Sequence, residues 1–206
     1  MIILSSLNLS LRNEQRQEGK MNNGKFERWC PILLLFLILS CNSKSENEKN
    51  KIEGKMSNTE KFILLSNDFQ DSSEIPSKFT CDGANLNPEL HWQGVPEAAK
   101  SLALVMDDPD APGGVFTHWI VFDIPITMNR IEQGAKLPKG LVELTNDFGR
   151  QGYGGPCPPR GTHRYIFTLY ALDAEKFDST QSNYKSFLSK HTVAKTQLMG
   201  LYKRKS

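Results

Sequence analysis

The part of the chain that is predicted to fold lacks an excess of positive charge. From Phe62 onward it contains 15 Lys and Arg against 16 Asp and Glu, so the formal net charge of +2 comes from an excess of basic residues among the first 61. A protein that binds nucleic acid needs clustered Lys and Arg on the domain itself. We therefore predict that nucleic acid is not a partner of this protein.

The apolar run at residues 32–39 is too short to span a membrane. It has eight residues, whereas a membrane-spanning helix needs about 20. Its length is typical of the hydrophobic region of a signal peptide, and Lys25 and Arg28 precede it. The run ends in Ile38-Leu39-Ser40-Cys41, which resembles a bacterial lipobox, where a peptidase cuts before a cysteine that is then lipidated. An ordinary secretory peptide and a buried helix are the alternatives.

These features predict how the chain is processed and divided. We expect a signal peptide over residues 1–40; Met21 is an alternative start, which would leave residues 1–20 outside the translated chain. Residues 42–61 have almost no apolar side chains and cannot bury enough surface to fold. We predict lipidation at Cys41, a tether over residues 41–61 and one domain over residues 62–206. The protein would then be an exported bacterial lipoprotein, anchored to a membrane and periplasmic or at the cell surface.

The familiar signatures of enzymes are absent from the sequence. There is no Walker A motif, no G-x-G-x-x-G after a strand, no G-x-S-x-G and no H-E-x-x-H. The spacing of Asp and His does not indicate a metal site. We therefore expect no cofactor and no metal, and a binding protein more than an enzyme.

Short apolar segments separated by Gly- and Pro-rich turns predict a mainly β fold. The segments are 62–65, 90–92, 101–106, 117–124 and 164–172. We predict a sandwich of two antiparallel sheets with small peripheral helices. Because side chains alternate between the faces of a strand, we expect each of two strands to place five side chains on one face. In the first strand these are Phe116, His118, Ile120, Phe122 and Ile124, and in the second they are His163, Tyr165, Phe167, Leu169 and Ala171. Apolar residues three or four apart from Tyr184 to Leu201 predict an amphipathic C-terminal helix.

Two rigid turns deliver polar side chains to the starts or ends of strands. The first is Asp108-Pro109-Asp110-Ala111-Pro112, followed by His118, and the second is the Gly- and Pro-rich stretch 149–165, which ends in His163 and Tyr165. Aspartate before proline is a common turn former, and a lone histidine on an apolar strand face is more often a core residue. The combination favours a small anion pocket, in which imidazoles, a tyrosine hydroxyl and N–H groups of the glycine loop would donate to phosphate oxygens.

Three stretches in order resemble the phosphatidylethanolamine-binding proteins, in particular the bacterial branch described as Raf-kinase-inhibitor-like. They are LVMDDPDAP at 104–112, THWIVFDIP at 117–125 and GYGGPCPPRGTHRYIFTLYALD at 152–173. The stretch 79–96 and the ending MGLYKR fit as well. The resemblance implies two packed antiparallel sheets and a pocket that accepts phosphate-like groups, including phosphorylethanolamine. The matching pocket residues are Asp108, Asp110, Pro112, His118, His163 and Tyr165, with the loop at Gly155.

Two classes of function follow from this sequence. The favoured one is a binding protein for small phosphorylated or anionic ligands, or for a protein partner that presents such a group. The rival is a hydrolase or transferase that uses Asp108 or Asp110 with His118 as an acid–base pair.

Two cysteines remain for a disulfide bond once the leader is processed. Cys30 would be removed with the signal peptide and Cys41 lipidated, which leaves Cys81 and Cys157 in an oxidising compartment. We predict that these two are bonded; two separate buried thiols are the alternative.

Overall fold

Strands dominate residues 60–178, 180 and 183–204, which the computed structural model describes. The strands are β1 Ile63–Leu65, β2 Ser73–Glu74, β3 Leu90–Gln93, β4 Ser101–Asp108, β5 Phe116–Ile124, β6 Arg130–Ile131, β7 Val142–Glu143, β8 His163–Leu172 and β9 Thr192–Tyr202. One α-helix, α1, spans Tyr184–His191, and a 3-10 turn spans Ser77–Phe79. The predicted signal peptide, lipidated Cys41 and nearly all of the tether lie outside the described residues.

The strands form two open sheets. The larger has the order β2-β9-β8-β4-β5-β7 and the smaller the order β1-β3-β6. Every strand pair is antiparallel except β2 with β9. The prediction of a mainly β fold with two sheets is therefore confirmed, with one short parallel pair added.

The large sheet is covered on both of its faces. On one face Leu104, Met106 and Phe167 pack in a core with Leu90 and Trp92 of the small sheet. On the other, a second cluster lies under α1, with members Val105, Ile120, Phe122, Phe187 and Leu188. Burial on both faces explains why β4 reads as an unbroken apolar run.

The predicted C-terminal helix was wrong beyond its first two turns. Asn183 caps α1 by accepting the Ser186 N–H, and the helix ends at His191. The rest of the predicted helix is β9, which pairs with β8 along its whole length. More buried and less buried residues alternate along β9. The apolar residues Ala194 and Leu198 are four apart, so they fit a two-residue period as well as a helical one. Antiparallel pairing with β8 selects the strand over the helix.

The single face predicted for β5 was also wrong. The pairing of β4 with β5 changes register twice: once between Met106 and Asp107, and once between Leu102 and Leu104. Each bulge adds a residue to one strand and moves the following side chains to the other face. Ile120 and Phe122 therefore pack under α1, whereas Ile124 packs between the sheets. The face predicted for β8 is confirmed from Tyr165 to Ala171.

The described residues contain no helix that is both long and apolar enough to cross a membrane.

Candidate functional site

The end of β4 meets the starts of β5 and β8 at one edge of the large sheet. This follows from topology, because β4 runs antiparallel to both neighbours. Asp108 ends β4, Phe116 begins β5 and His163 begins β8. The two turns singled out in the sequence are thus brought together there, and we call the residues around Asp108, His118, His163 and Tyr165 the cleft.

Asp108 and His163 form a buried pair in the cleft. Nδ1 of His163 lies 2.7 Å from Oδ2 of Asp108, and both side chains are less than a tenth exposed. Oδ1 of Asp108 accepts the backbone N–H of Asp110 at 2.9 Å. Because a carboxylate accepts, we assign the Nδ1 proton to His163, which leaves Nε2 as its second polar atom. Asp108 thus fixes both the Asp-Pro turn and the imidazole.

His118 is held by the glycine loop. Its Nδ1 lies 2.7 Å from the carbonyl oxygen of Gly154, and its own carbonyl accepts the Gly154 N–H at 3.0 Å. Asn146 Nδ2 donates to the same His118 carbonyl at 3.1 Å. Burial lowers the pKa of His118, and this effect outweighs the hydrogen bond to Gly154, which raises it. The imidazole is therefore neutral near pH 7, with its proton on Nδ1.

The hydroxyl of Tyr165 is buried. Asp108 and the Cys157 backbone lie near it, but its hydrogen bonds to the described residues are not well formed. Its ring stands perpendicular to that of His118, with centroids 5.2 Å apart. Burial, followed by the negative charge of Asp108, raises the pKa of Tyr165 well above its usual range, so the hydroxyl keeps its proton. Most buried polar atoms in proteins are hydrogen-bonded. This donor is thus available to a bound group.

Asp110 and Pro112 lie apart from the buried cluster. Asp110 accepts three hydrogen bonds from Arg164: the backbone N–H and Nε at 2.9 Å, and one terminal nitrogen at 2.7 Å. These bonds lower the pKa of Asp110 to about 2. Pro112 is exposed in the turn. In this structure Asp110 therefore ties the turn to β8.

Gly155 is buried where the loop passes close to other backbone. Its N–H donates to Oδ1 of Asn85 at 2.7 Å. A Cβ added here would lie 2.5 Å from that same oxygen and from the Phe79 carbonyl. The N–H groups of Gly154 and Gly155 are both used within the protein, so at these two positions glycine permits close packing.

Two aromatic rings beside His118 were not predicted from the sequence. The ring of Phe116 lies 5.2 Å from the imidazole, and that of Phe148 lies 5.1 Å from it. Phe148 is 44% exposed, so an apolar surface borders the cleft. Phe148 precedes the glycine-rich stretch in Asn146-Asp147-Phe148-Gly149, and an aromatic residue within a turn was a signal that could have been used.

Cys81 and Cys157 are joined by a disulfide bond in the structure. Their Cα atoms lie 5.4 Å apart, within the usual range for a bridge. The Cys81 N–H also donates to the Pro156 carbonyl at 3.1 Å. The bridge ties the glycine-rich loop to the segment after the 3-10 turn, next to Gly155.

Comparisons with known proteins place these features in a wider group. A family model described as phosphatidylethanolamine-binding protein matches residues 65–203. The UPF0098 protein of Methanothermobacter thermautotrophicus is 45% identical over 148 residues, covering 68% of this chain and 98% of the relative. That of Aquifex aeolicus is 44% identical over 150 residues, covering 68% and 88%. The structure of Escherichia coli YbcL, described as a new member of the mammalian PEBP family, matches with a TM-score of 0.65 at 36% identity and covers 70% of this chain and 99% of that one.

Proposed function

The chain belongs to the phosphatidylethanolamine-binding protein family, and from that premise we propose that it binds a small phosphate-bearing or other anionic ligand in the cleft. The family binds phosphate-bearing molecules. Of the residues that match its pocket, Asp108, His118, His163 and Tyr165 lie together near the end of β4, whereas Asp110 pairs with Arg164 and Pro112 is exposed. The ligand would be a free phosphorylated metabolite, a phosphorylethanolamine-like head group or such a group presented by a protein partner.

The observation that carries this proposal is the buried hydroxyl of Tyr165, which makes no well-formed hydrogen bond to a described residue. A phosphate oxygen in the cleft would accept the Tyr165 proton. Nε2 of His163 would donate to the same group when the ring carries a proton on both nitrogens, since the Nδ1 proton is given to Asp108. Hydrogen bonds with a charged partner are about twice as strong as neutral ones.

Because His118 is neutral, the protonation state of the phosphate group determines how it can bind. As a neutral ring with Nδ1 bound to Gly154, it offers Nε2 only as an acceptor. A phosphate monoanion could donate its own proton to Nε2. A dianion would instead favour protonation of His118, so its binding would take up a proton from solution. The aspartates cannot accept from ionised phosphate oxygens, and Asp108 acts by orienting His163.

We expect Tyr165→Phe to weaken binding without weakening the fold. Calorimetric titration with phosphorylethanolamine should show an affinity loss of about 1.5–3 kcal/mol, because one hydrogen bond to a charged group is removed. The free energy of unfolding should stay level or rise, since a buried unsatisfied hydroxyl is lost. Tyr170→Phe is the matched control, because Tyr170 lies on the same strand and lines the other face of the sheet.

His163→Ala should weaken the same binding by about 1–3 kcal/mol. Normal binding by both His163→Ala and Tyr165→Phe would contradict the proposal. Acid–base catalysis is a second candidate function. Its pair would be Asp108 and His163 in place of the predicted Asp108 or Asp110 with His118, because Asp108 contacts His163 and Asp110 contacts Arg164. Release of product from aryl phosphates or esters by the wild type, lost in His163→Ala, would favour that function instead.

We also propose that the protein is a lipid-anchored lipoprotein, on the basis of residues 32–41. Cys41→Ala should abolish lipidation and release the protein from membranes, because several acyl chains are needed for stable anchoring. Labelling with a radioactive fatty acid and membrane fractionation measure the two effects. Cys30→Ala is the control and should leave both unchanged; membrane retention of Cys41→Ala would disprove the anchor.

A further inference from the structure

A groove on the opposite face of the large sheet contains polar groups that the cleft does not use. It lies between α1 and strands β4, β8 and β9, and its volume is about 380 Å³. Pockets of this size accommodate small molecules. Val105 and Leu188 supply apolar lining, and Asp107 supplies a carboxylate.

Asp107 is a half-buried carboxylate whose charge is incompletely satisfied. It neighbours Asp108 on β4 but lines the groove, as strand alternation requires. Thr117 Oγ1 donates to Oδ1 at 2.7 Å, and no other described residue donates a hydrogen bond to the carboxylate. Lys185 influences it electrostatically without forming an ion pair. Burial raises the pKa of Asp107, which is the behaviour of a carboxylate that lacks a close cation.

Two tyrosines line the groove with Asp107. The hydroxyl of Tyr184 lies 3.1 Å from Thr117 Oγ1. Because the Thr117 proton goes to Asp107, Tyr184 donates to Thr117 and keeps an oxygen lone pair free. Tyr170 contributes a second ring from β8. Carboxylates and aromatic rings together favour an organic ammonium group.

Two exposed lysines restrict the net charge of a ligand. Lys185 Nζ lies 5.6 Å from the Tyr184 ring centre, and Lys195 pairs across strands with Tyr170. Both line the groove. They would repel a dication and attract an anionic group on the same molecule.

We propose that this groove binds a small zwitterion with a primary ammonium group and a carboxylate. The ammonium group contacts Asp107 between the two tyrosines, and the carboxylate contacts Lys185 and Lys195. The site is separate from the anion cleft, because Asp107 and Asp108 serve opposite faces of the sheet.

Titration of the full chain with glycine, 4-aminobutanoate and 6-aminohexanoate, followed by amide NMR shifts, tests this directly. We expect saturable shifts at Asp107, Thr117 and Tyr184 for at least one of the three. Butylamine and hexanoate each lack one charged group and should bind at least roughly tenfold more weakly, since each loses a charged contact. Inorganic phosphate should not displace the zwitterion.

Substitutions separate the two charged contacts. Asp107→Asn keeps the size of the side chain and should weaken the best-binding amino acid at least about tenfold. Lys185→Ala with Lys195→Ala should weaken it while leaving butylamine unaffected. Lys190→Ala removes an exposed lysine of α1 that does not line the groove, and His163→Ala alters the cleft; neither should change the titration.

The wild-type titration decides the outcome even if Asp107→Asn fails to fold. No saturable shifts, shifts confined to the cleft, or equal binding of hexanoate would each overturn the proposal. Loss of phosphate binding in Tyr165→Phe with intact amino acid binding would show that the two sites stand independently.

Discussion

Three carboxylates within four positions have different roles because their surroundings differ. Asp107 faces the groove under α1, Asp108 holds His163 in the cleft, and Asp110 pairs with Arg164 near solvent. Burial raises the pKa of Asp107, whereas hydrogen bonds from Arg164 lower that of Asp110. Their local sequence shows only an acidic turn.

The buried imidazole of His118 should make the fold sensitive to acid. Its folded pKa lies below the ordinary value of 6.5, so the unfolded chain takes up a proton first as pH falls. The contribution of His118 to stability is complete above about pH 6.5 and is lost progressively as pH falls through the lower folded pKa. We expect the free energy of unfolding, measured by urea denaturation, to fall more between pH 7 and 5 in the wild type than in His118→Gln.

His191→Gln provides the matched comparison at a partly exposed histidine that pairs with Asp173. If His118→Gln shows the same pH slope as the wild type, burial of His118 does not govern the acid response.

At the scale of elements, β9 packs closely against β2 and the residues next to it. A Cβ on Gly200 would lie 2.5 Å from Cδ1 of Ile75 and 3.0 Å from Cε2 of Phe69. Ile75 is fully buried, so it has little room to move. The glycine lets β2 and its neighbours pack against β9 directly.

Gly200→Ala should therefore destabilise the protein by about 1–3 kcal/mol, the usual cost of overpacking a core. Urea denaturation measures the change. Gly113→Ala is the control, because a Cβ there meets nothing within 4 Å. Equal midpoints for the two variants would show that Ile75 can shift without cost.

At the scale of the whole molecule, the disulfide bond links segments that are distant in sequence. Cys81 and Cys157 are 76 residues apart. The loop that carries Cys157 also supplies the Gly154 carbonyl to His118 and the backbone at Gly155. The bridge thus supports the cleft as well as the fold.

Replacing both cysteines, Cys81→Ser with Cys157→Ser, should lower the free energy of unfolding by about 2–5 kcal/mol. Phosphorylethanolamine binding should weaken too, because the loop that holds His118 gains freedom. Treatment of the wild type with a reducing agent should reproduce both effects, and the double variant should not respond to it. Unchanged binding in the double variant would separate the bridge from the cleft.

Local sequence was sufficient for the features that depend on neighbouring residues. Apolar runs such as β4 predict buried strands, and Asp108-Pro109-Asp110 predicts a stiff turn, because proline fixes the backbone wherever it occurs. The ordered stretches around Asp108, His118 and His163 were specific enough to indicate the family. Their meeting at the end of β4 also required β4 to pair antiparallel with both β5 and β8.

Tertiary structure alone decided the features that depend on distant partners. Residues 192–202 suit a helix or a strand by their periodicity, and pairing with β8 selected the strand. The bulges of β5 moved Ile120 and Phe122 away from His118, and no local signal marks them. Arg164 donates hydrogen bonds to the Asp110 carboxylate, 54 residues away in sequence. Asn85 accepts the Gly155 N–H from 70 residues away. Such contacts exist only after the sheets pack, because the energy of a polar group in a protein depends on what lies beside it and how much water remains.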